Sequence, residues 1–138
     1  YTKPEDLWGI EDVWVTQSQK IKTSDLERTI IDCLDRPDLC GGVSEVAKGI
    51  WTKRNEIDYP KLADYARKLG RKSVVKRLGF ILETYSLGNQ EVLFVLKEEV
   101  TSSYTLLDPS LPASGHFKSS WKIRANVEPE ELIEITKT

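Results

Sequence analysis

Residues Lys22 to Gly42, KTSDLERTIIDCLDRPDLCGG, decide how the rest of the chain is read. Ser24 and Glu27 stand at capping-box spacing, in which each side chain satisfies the other's free amide, so a helix is predicted to start there. Leu26, Ile30, Cys33 and Leu34 recur at helical spacing and form one apolar face, while Arg28 and Asp32 sit four apart on the other side. Pro37 ends the helix, because the residue before a proline is driven out of the helical region. Gly41 and Gly42 then open the next helix.

Working upstream, Lys20 to Thr23 alternates in the manner of a short strand, and so does the run from Asp12 through Val13, Trp14, Val15 and Thr16. A hairpin turning at Gln17 to Gln19 is predicted, preceded by a lead-in segment over residues 1–11 that carries Pro4. Downstream, Val43, Val46, Ala47, Ile50 and Trp51 define a helical face ending near Asn55. Asp58 is placed to cap a further helix carrying Leu62, Tyr65, Ala66 and Leu69, with Gly70 as its left-handed stop. From Lys72 to about Tyr85 a wide apolar stripe of Val74, Val75, Leu78, Ile81, Leu82 and Tyr85 predicts the most strongly amphipathic helix. Asn89 caps another, carrying Val92, Leu93, Leu96 and Val100. Tyr104 to Leu107 reads as a strand, Ser110 to Ser120 as a surface loop, and Trp121 to Val127 as a strand placed to pair antiparallel with the first. A short acidic helix with Pro129 in its first turn closes the chain. The expected fold is α+β: one mostly helical domain over residues 1–138, with about five helices packed on a small antiparallel sheet.

Composition narrows the classes. At 138 residues the chain can bury a core without disulfide or metal staples. No apolar run approaches the ~18 residues a membrane span needs. The net charge of -2 means that any nucleic-acid contact must come from a local patch. Two cysteines, Cys33 and Cys40, are too few for a disulfide framework and point to a reducing, cytoplasmic setting. A single histidine, His116, leaves little room for histidine metal sites or hydrolase triads. The chain has no methionine and opens on Tyr1, which predicts a segment of a longer protein.

The sharpest charge asymmetry lies between Lys61 and Arg77, where Lys61, Arg67, Lys68, Arg71, Lys72, Lys76 and Arg77 have only Asp64 as local compensation. On a helical wheel Lys72 and Lys76 project away from the apolar stripe with Phe80 among them, an arrangement that could stack a base or anchor a protein. In the alternative reading Phe80 is core and the bases are a solvated rim. Asp32, Asp35 and Asp38 beside the cysteines raise a metal or acid/base site, but Asp38 lies beyond the proline, and helix-end hydrogen bonding is preferred. Gly41-Gly42 could cradle an anion, yet no lysine and hydroxyl pair follows as in a P-loop. Trp51 and Trp121 are read as core anchors, and Arg28 and Arg36 as partners of Asp32 and Asp38.

Ser24 to Pro37 followed by Leu39 to Ala47 resembles the AbiEi family, the antitoxins of type IV toxin and antitoxin systems associated with abortive infection. The resemblance continues through Leu62 to Leu69, Lys76 to Glu83 (KRLGFILE), Leu106 to Ser110 (LLDPS) and Gly115 through Trp121 to Asn126. It implies an N-terminal winged helix-turn-helix that binds the operon's own promoter. It also implies a C-terminal domain that counters a nucleotidyltransferase-like toxin and assists repression. Nothing before Ser24 has room for three helices and a wing, so these residues correspond to the C-terminal domain.

The expected role is therefore a regulatory, non-enzymatic antitoxin domain without a cofactor or bound metal, whose partners are the cognate toxin and, through the basic stripe, promoter DNA. The alternative is a structural oligomerisation module of a transcriptional regulator, a homodimer formed through an exposed Phe80 and Phe94 patch. An enzyme built on the aspartate cluster ranks last, because neither paired carboxylates at two strand ends nor a glycine-serine metal motif is present.

Overall fold

Why the helix from Lys72 is the centre of the fold follows from what surrounds it. The computed structural model describes residues 10–15 and 19–137, with side chains described from Asp25 onward. The element order is β1 (Ile10–Val15), β2 (Gln19–Ser24), α1 (Leu26–Asp35), a 3-10 turn (Pro37–Cys40), α2 (Val43–Thr52), α3 (Tyr59–Leu69), α4 (Lys72–Thr84), α5 (Gln90–Lys97), β3 (Thr105–Leu106), β4 (His116–Lys118), β5 (Ile123–Ala125) and α6 (Pro129–Ile135). The described fold is mostly helical α+β. α4 packs against α1, α3, α5, α6 and β5, so every residue from Val74 through Leu82 is buried. A helix covered on all sides cannot keep a polar face. Each apolar side chain it buries contributes about 1.5–3 kcal/mol, and Leu78, Ile81 and Leu82 are fully enclosed.

β1 and β2 form an antiparallel pair, in register from Ile10 with Ser24 to Val15 with Gln19. The lead-in residues 1–9 and the turn at 16–18 lie outside the described residues, as do the side-chain faces expected for the hairpin. The second sheet has the order β3-β5-β4 and is mixed: β5 pairs antiparallel with β4 and parallel with β3. The expected antiparallel pairing of the Tyr104 and Trp121 strands is thus corrected. The chain leaving β3 turns at Asp108 and returns through β4, part of the expected surface loop, and β4 takes the antiparallel edge of β5. Parallel pairing requires such a crossover, and the intervening residues supply it.

Local signals account for most helix ends. Asp58 caps α3 by accepting from the Lys61 amide at 3.2 Å, Gly70 stops it in the left-handed region, and Asn89 caps α5 through the Val92 amide at 2.9 Å. α1 departs from expectation. Its cap is Asp25, whose Oδ1 accepts from the Arg28 amide at 2.7 Å, because the Glu27 carboxylate reaches instead to the Asp58 amide at 2.8 Å. Glu27 ties α1 to the start of α3 rather than closing a local capping box. Among the described residues, no helix is long and apolar enough to cross a membrane.

Candidate nucleic-acid interface

The seven bases from Lys61 to Arg77 do not form the expected continuous stripe. Lys61 Nζ lies 2.9 Å from Asp25 and 3.6 Å from Glu27, and the Asp25 carboxylate holds its pKa above the ordinary lysine value. Burial alone would raise the pKa of Asp25. Hydrogen bonds from Lys61, the Arg28 amide and the Tyr65 hydroxyl outweigh this and hold it low. Lys72 meets Glu99 at 2.8 Å and Arg67 approaches the same carboxylate at 3.9 Å. Lys68 pairs with Asp64 at 3.4 Å and Arg71 with Asp35 at 3.2 Å. The compensation that the linear sequence lacked comes from α1 and from the turn after α5.

The remaining two bases, and Phe80 with them, are inside. Lys76 is 1% exposed, Arg77 5% and Phe80 6%. Arg77 donates from Nη1 to the Leu34 carbonyl at 2.8 Å and from Nε to the Leu106 carbonyl at 3.1 Å, so it clamps the end of α1 to β3. Lys76 Nζ donates to the Ser103 carbonyl. The error has one physical cause: on a buried helix, long cationic side chains can end on backbone carbonyls that only the tertiary fold brings near. Phe80 joins the core, as the alternative reading has it, which dissolves the expected Phe80 and Phe94 patch and leaves Phe94 as the exposed large hydrophobic of α5.

The aspartate cluster is spoken for. Asp32 takes Arg28 at 3.0 Å, Asp35 takes Arg71, and Asp38 takes Arg36 at 3.0 Å. Among the described residues no group of three or more possible ligands converges on a metal position. The glycine pair does receive an anion, but an internal one. Gly42, at φ +98°, starts α2, and Asp108 Oδ2 accepts from the Val43 amide at 3.0 Å. A Cβ on Gly42 would stand 3.1 Å from that oxygen. Asp108 Oδ1 takes the Ser110 amide at 2.9 Å and the Ser110 hydroxyl. Asn126 brackets the Asp108 backbone, accepting from its amide at 2.9 Å and donating to its carbonyl at 2.7 Å. Nearby, Trp121 lies against Gly79 and donates from Nε1 to Glu83 at 3.0 Å. Leu34, Gly42, Arg77, Leu106, Asp108 and Asn126 thus belong to one interlocked cluster, and Gly79 and Trp121 form a separate packed pair on the same helix α4.

Sequence reasoning passed over the outer face of the β3-β5-β4 sheet. Ile123 and Ala125 point into the core, so Arg124 faces outward, directly opposite Phe117 on β4. Phe117 is 59% exposed, Tyr104 41%, and their rings meet edge to face at 5.0 Å and 86°. The Arg124 guanidinium lies over Phe117 at 4.8 Å and Lys122 Nζ over Tyr104 at 5.3 Å. At the sheet's end, Lys97 covers the buried ring of Trp121 at 4.1 Å. None of Lys97, Lys118, Lys122 and Arg124 has an acidic partner among the described residues. Alternation in Trp121 to Ala125 was the available signal, since it assigns Lys122 and Arg124 to the opposite face from Trp121, Ile123 and Ala125.

Comparisons of the chain with known protein families, with curated proteins and with solved structures find no match.

Proposed function

We propose that this chain is a non-enzymatic regulatory domain of the antitoxin type, which counters a nucleotidyltransferase-like toxin and, joined to a DNA-reading module, assists autorepression. The observation that supports it is where the AbiEi-like segments fall. Ser24 to Ala47, Lys76 to Glu83, Leu106 to Ser110 and Gly115 to Asn126 supply the members of the Asp108 and Arg77 cluster. Segments remote in sequence that interlock in space are expected of a resemblance that reflects a shared fold. The engagement of Asp32, Asp35 and Asp38 by arginines also favours regulation over catalysis.

The test is co-expression of these 138 residues with the nucleotidyltransferase-like toxin of the same operon, scoring growth. Rescue is expected, and a variant with the cluster broken, Asp108→Ala, should rescue less well in proportion to its loss of folded protein. Continued growth arrest in the presence of abundant, folded chain would refute the reading.

A further inference from the structure

We propose that the outer face of the β3-β5-β4 sheet binds single-stranded nucleic acid, with Phe117 and Tyr104 as stacking platforms and Lys122 and Arg124 as phosphate contacts. This goes beyond the antitoxin reading, which concerns a protein toxin, and does not depend on it.

Charge selects a polyanion. The chain as a whole carries -2, and the cations on α3 and at the start of α4 are matched by carboxylates, yet those around this sheet have no carboxylate partner among the described residues. Glu83 and Glu128, which flank the sheet, meet the Trp121 indole and, at 3.1 Å, His116 rather than the sheet's cations. Behind Tyr104, Lys122 adds its field to the buried ammonium of Lys76. Burial first, and then that neighbouring charge, hold the Lys76 pKa below its usual value. An anion brought to this corner relieves repulsion that no carboxylate among the described residues relieves. A protein partner accounts for Phe117, Tyr104 and Arg124 but not for the lysines, which are depleted at protein interfaces; lysine and arginine together beside exposed aromatics are the composition of a nucleic-acid surface.

Geometry selects a single strand. Bases in a duplex lie parallel and hide their faces from one another, so a duplex offers a protein phosphates and base edges. Phe117 and Tyr104 present exposed ring surface, and their planes stand at 86°. Bases stacked on both would lie nearly perpendicular to each other, which only an unstacked, splayed strand permits. Small sheets that stack two or three bases on outward aromatics are an established solution for single strands. Arg124 and Lys122, which lie over the rings in the free protein, would swing off them to meet the phosphates that follow each stacked base.

The experiment is fluorescence anisotropy of the full chain with a labelled single-stranded RNA and a single-stranded DNA of about ten nucleotides, and with the corresponding DNA duplex. Both single strands should bind more tightly than the duplex. Phe117→Leu should weaken single-strand binding about 5- to 150-fold, the effect of losing one stacked base, and Phe117→Tyr should restore it. Lys122→Gln and Arg124→Gln should each reduce the slope of log K against log salt by about 0.7. Lys68→Gln on α3, whose partner is Asp64, should leave the slope unchanged. Because Phe117 is exposed, circular dichroism should report folded protein for every variant. The proposal is overturned by tighter binding of the duplex, by Phe117→Leu binding as well as the parent, by heparin binding that falls with Phe117→Leu as much as single-strand binding does, or by no nucleic-acid binding at all.

Discussion

Replacing Gly79 with alanine should destabilise the fold although alanine is the better helix former. Gly79 lies inside α4 beneath the indole of Trp121, and a Cβ there would stand 2.2 Å from Cζ3, 2.3 Å from Cε3 and 2.6 Å from Cη2. Ordinary contact begins near 3.4 Å, so the ring must retreat by about 1.2 Å. It has nowhere to go. Trp121 is 1% exposed, its Nε1 is held by Glu83, and Lys97 lies over its face. Overpacking costs about 1–3 kcal/mol and more where relief is blocked, which puts this site at or beyond the upper limit. Helix propensity returns about 1 kcal/mol, leaving a net loss of about 2 kcal/mol or more. Gly49 inside α2 is the control: a Cβ added there would meet no atom within 4 Å, so Gly49→Ala should stabilise by about 0.5–1 kcal/mol. Urea denaturation followed by circular dichroism should move the two midpoints in opposite directions. A midpoint for Gly79→Ala at or above that of the parent would refute the placement of Trp121 on α4. The double variant with Trp121→Leu should recover part of the loss, since neighbouring sites couple.

Asp108→Ala should cost about 2–4 kcal/mol, because it leaves the buried Val43 amide without an acceptor and frees Ser110; an unchanged thermal midpoint would count against the cluster. Asp25→Asn keeps a capping side chain but loses the charge that Lys61 and Tyr65 meet. Since the folded pKa of Asp25 is depressed, its charge stabilises the fold above the ordinary carboxylate pKa of about 4, and that contribution disappears as pH falls through the folded value. The stability gap between parent and Asp25→Asn should therefore be largest near neutrality and close below about pH 4; a gap independent of pH would be the contrary result. Burial, together with the Cys40 thiol 2.7 Å away, pushes the Cys33 thiol up to about 12. At pH 8.5, site-resolved mass spectrometry should find Cys33 alkylated by iodoacetamide on the order of 100-fold or more slowly in the native than in the denatured protein, and equal rates would show an accessible thiolate.

Features set by neighbours in the chain were legible from the sequence. The Asp58 and Asn89 caps, the left-handed Gly70, the bounds of α4 and the proline start of α6 each depend on a few adjacent residues. What the sequence hid was decided by distant partners. Glu27 abandons the local capping box for an amide 31 residues away. Lys76 and Arg77 look like surface bases until the carbonyls of Ser103, Leu34 and Leu106 arrive. Periodicity placed Val74, Val75, Leu78, Ile81 and Leu82 correctly, but a helix covered from every side also buries the positions between them. The sheet face with Phe117 was missed for the same reason, since β4 becomes a strand only by pairing with β5.

The bracket that Asn126 forms around Asp108 also bears on how the chain matures during synthesis. α2 acquires the acceptor for its Val43 amide from a residue 65 positions later, and Asp108 is fixed in place only when Asn126 arrives. The ribosome must therefore release the chain through Asn126 before the cluster can close. Until then α1 and α4 can associate, but Arg77 has only one of its two carbonyls while Leu106 is unplaced, and Trp121 has not yet covered Gly79. A nascent chain that ends before Leu106 and Trp121 leaves Arg77 and Gly79 on its central helix without these partners. Trp121, β5 and then α6 are thus the last of the described elements to be made that cover α4.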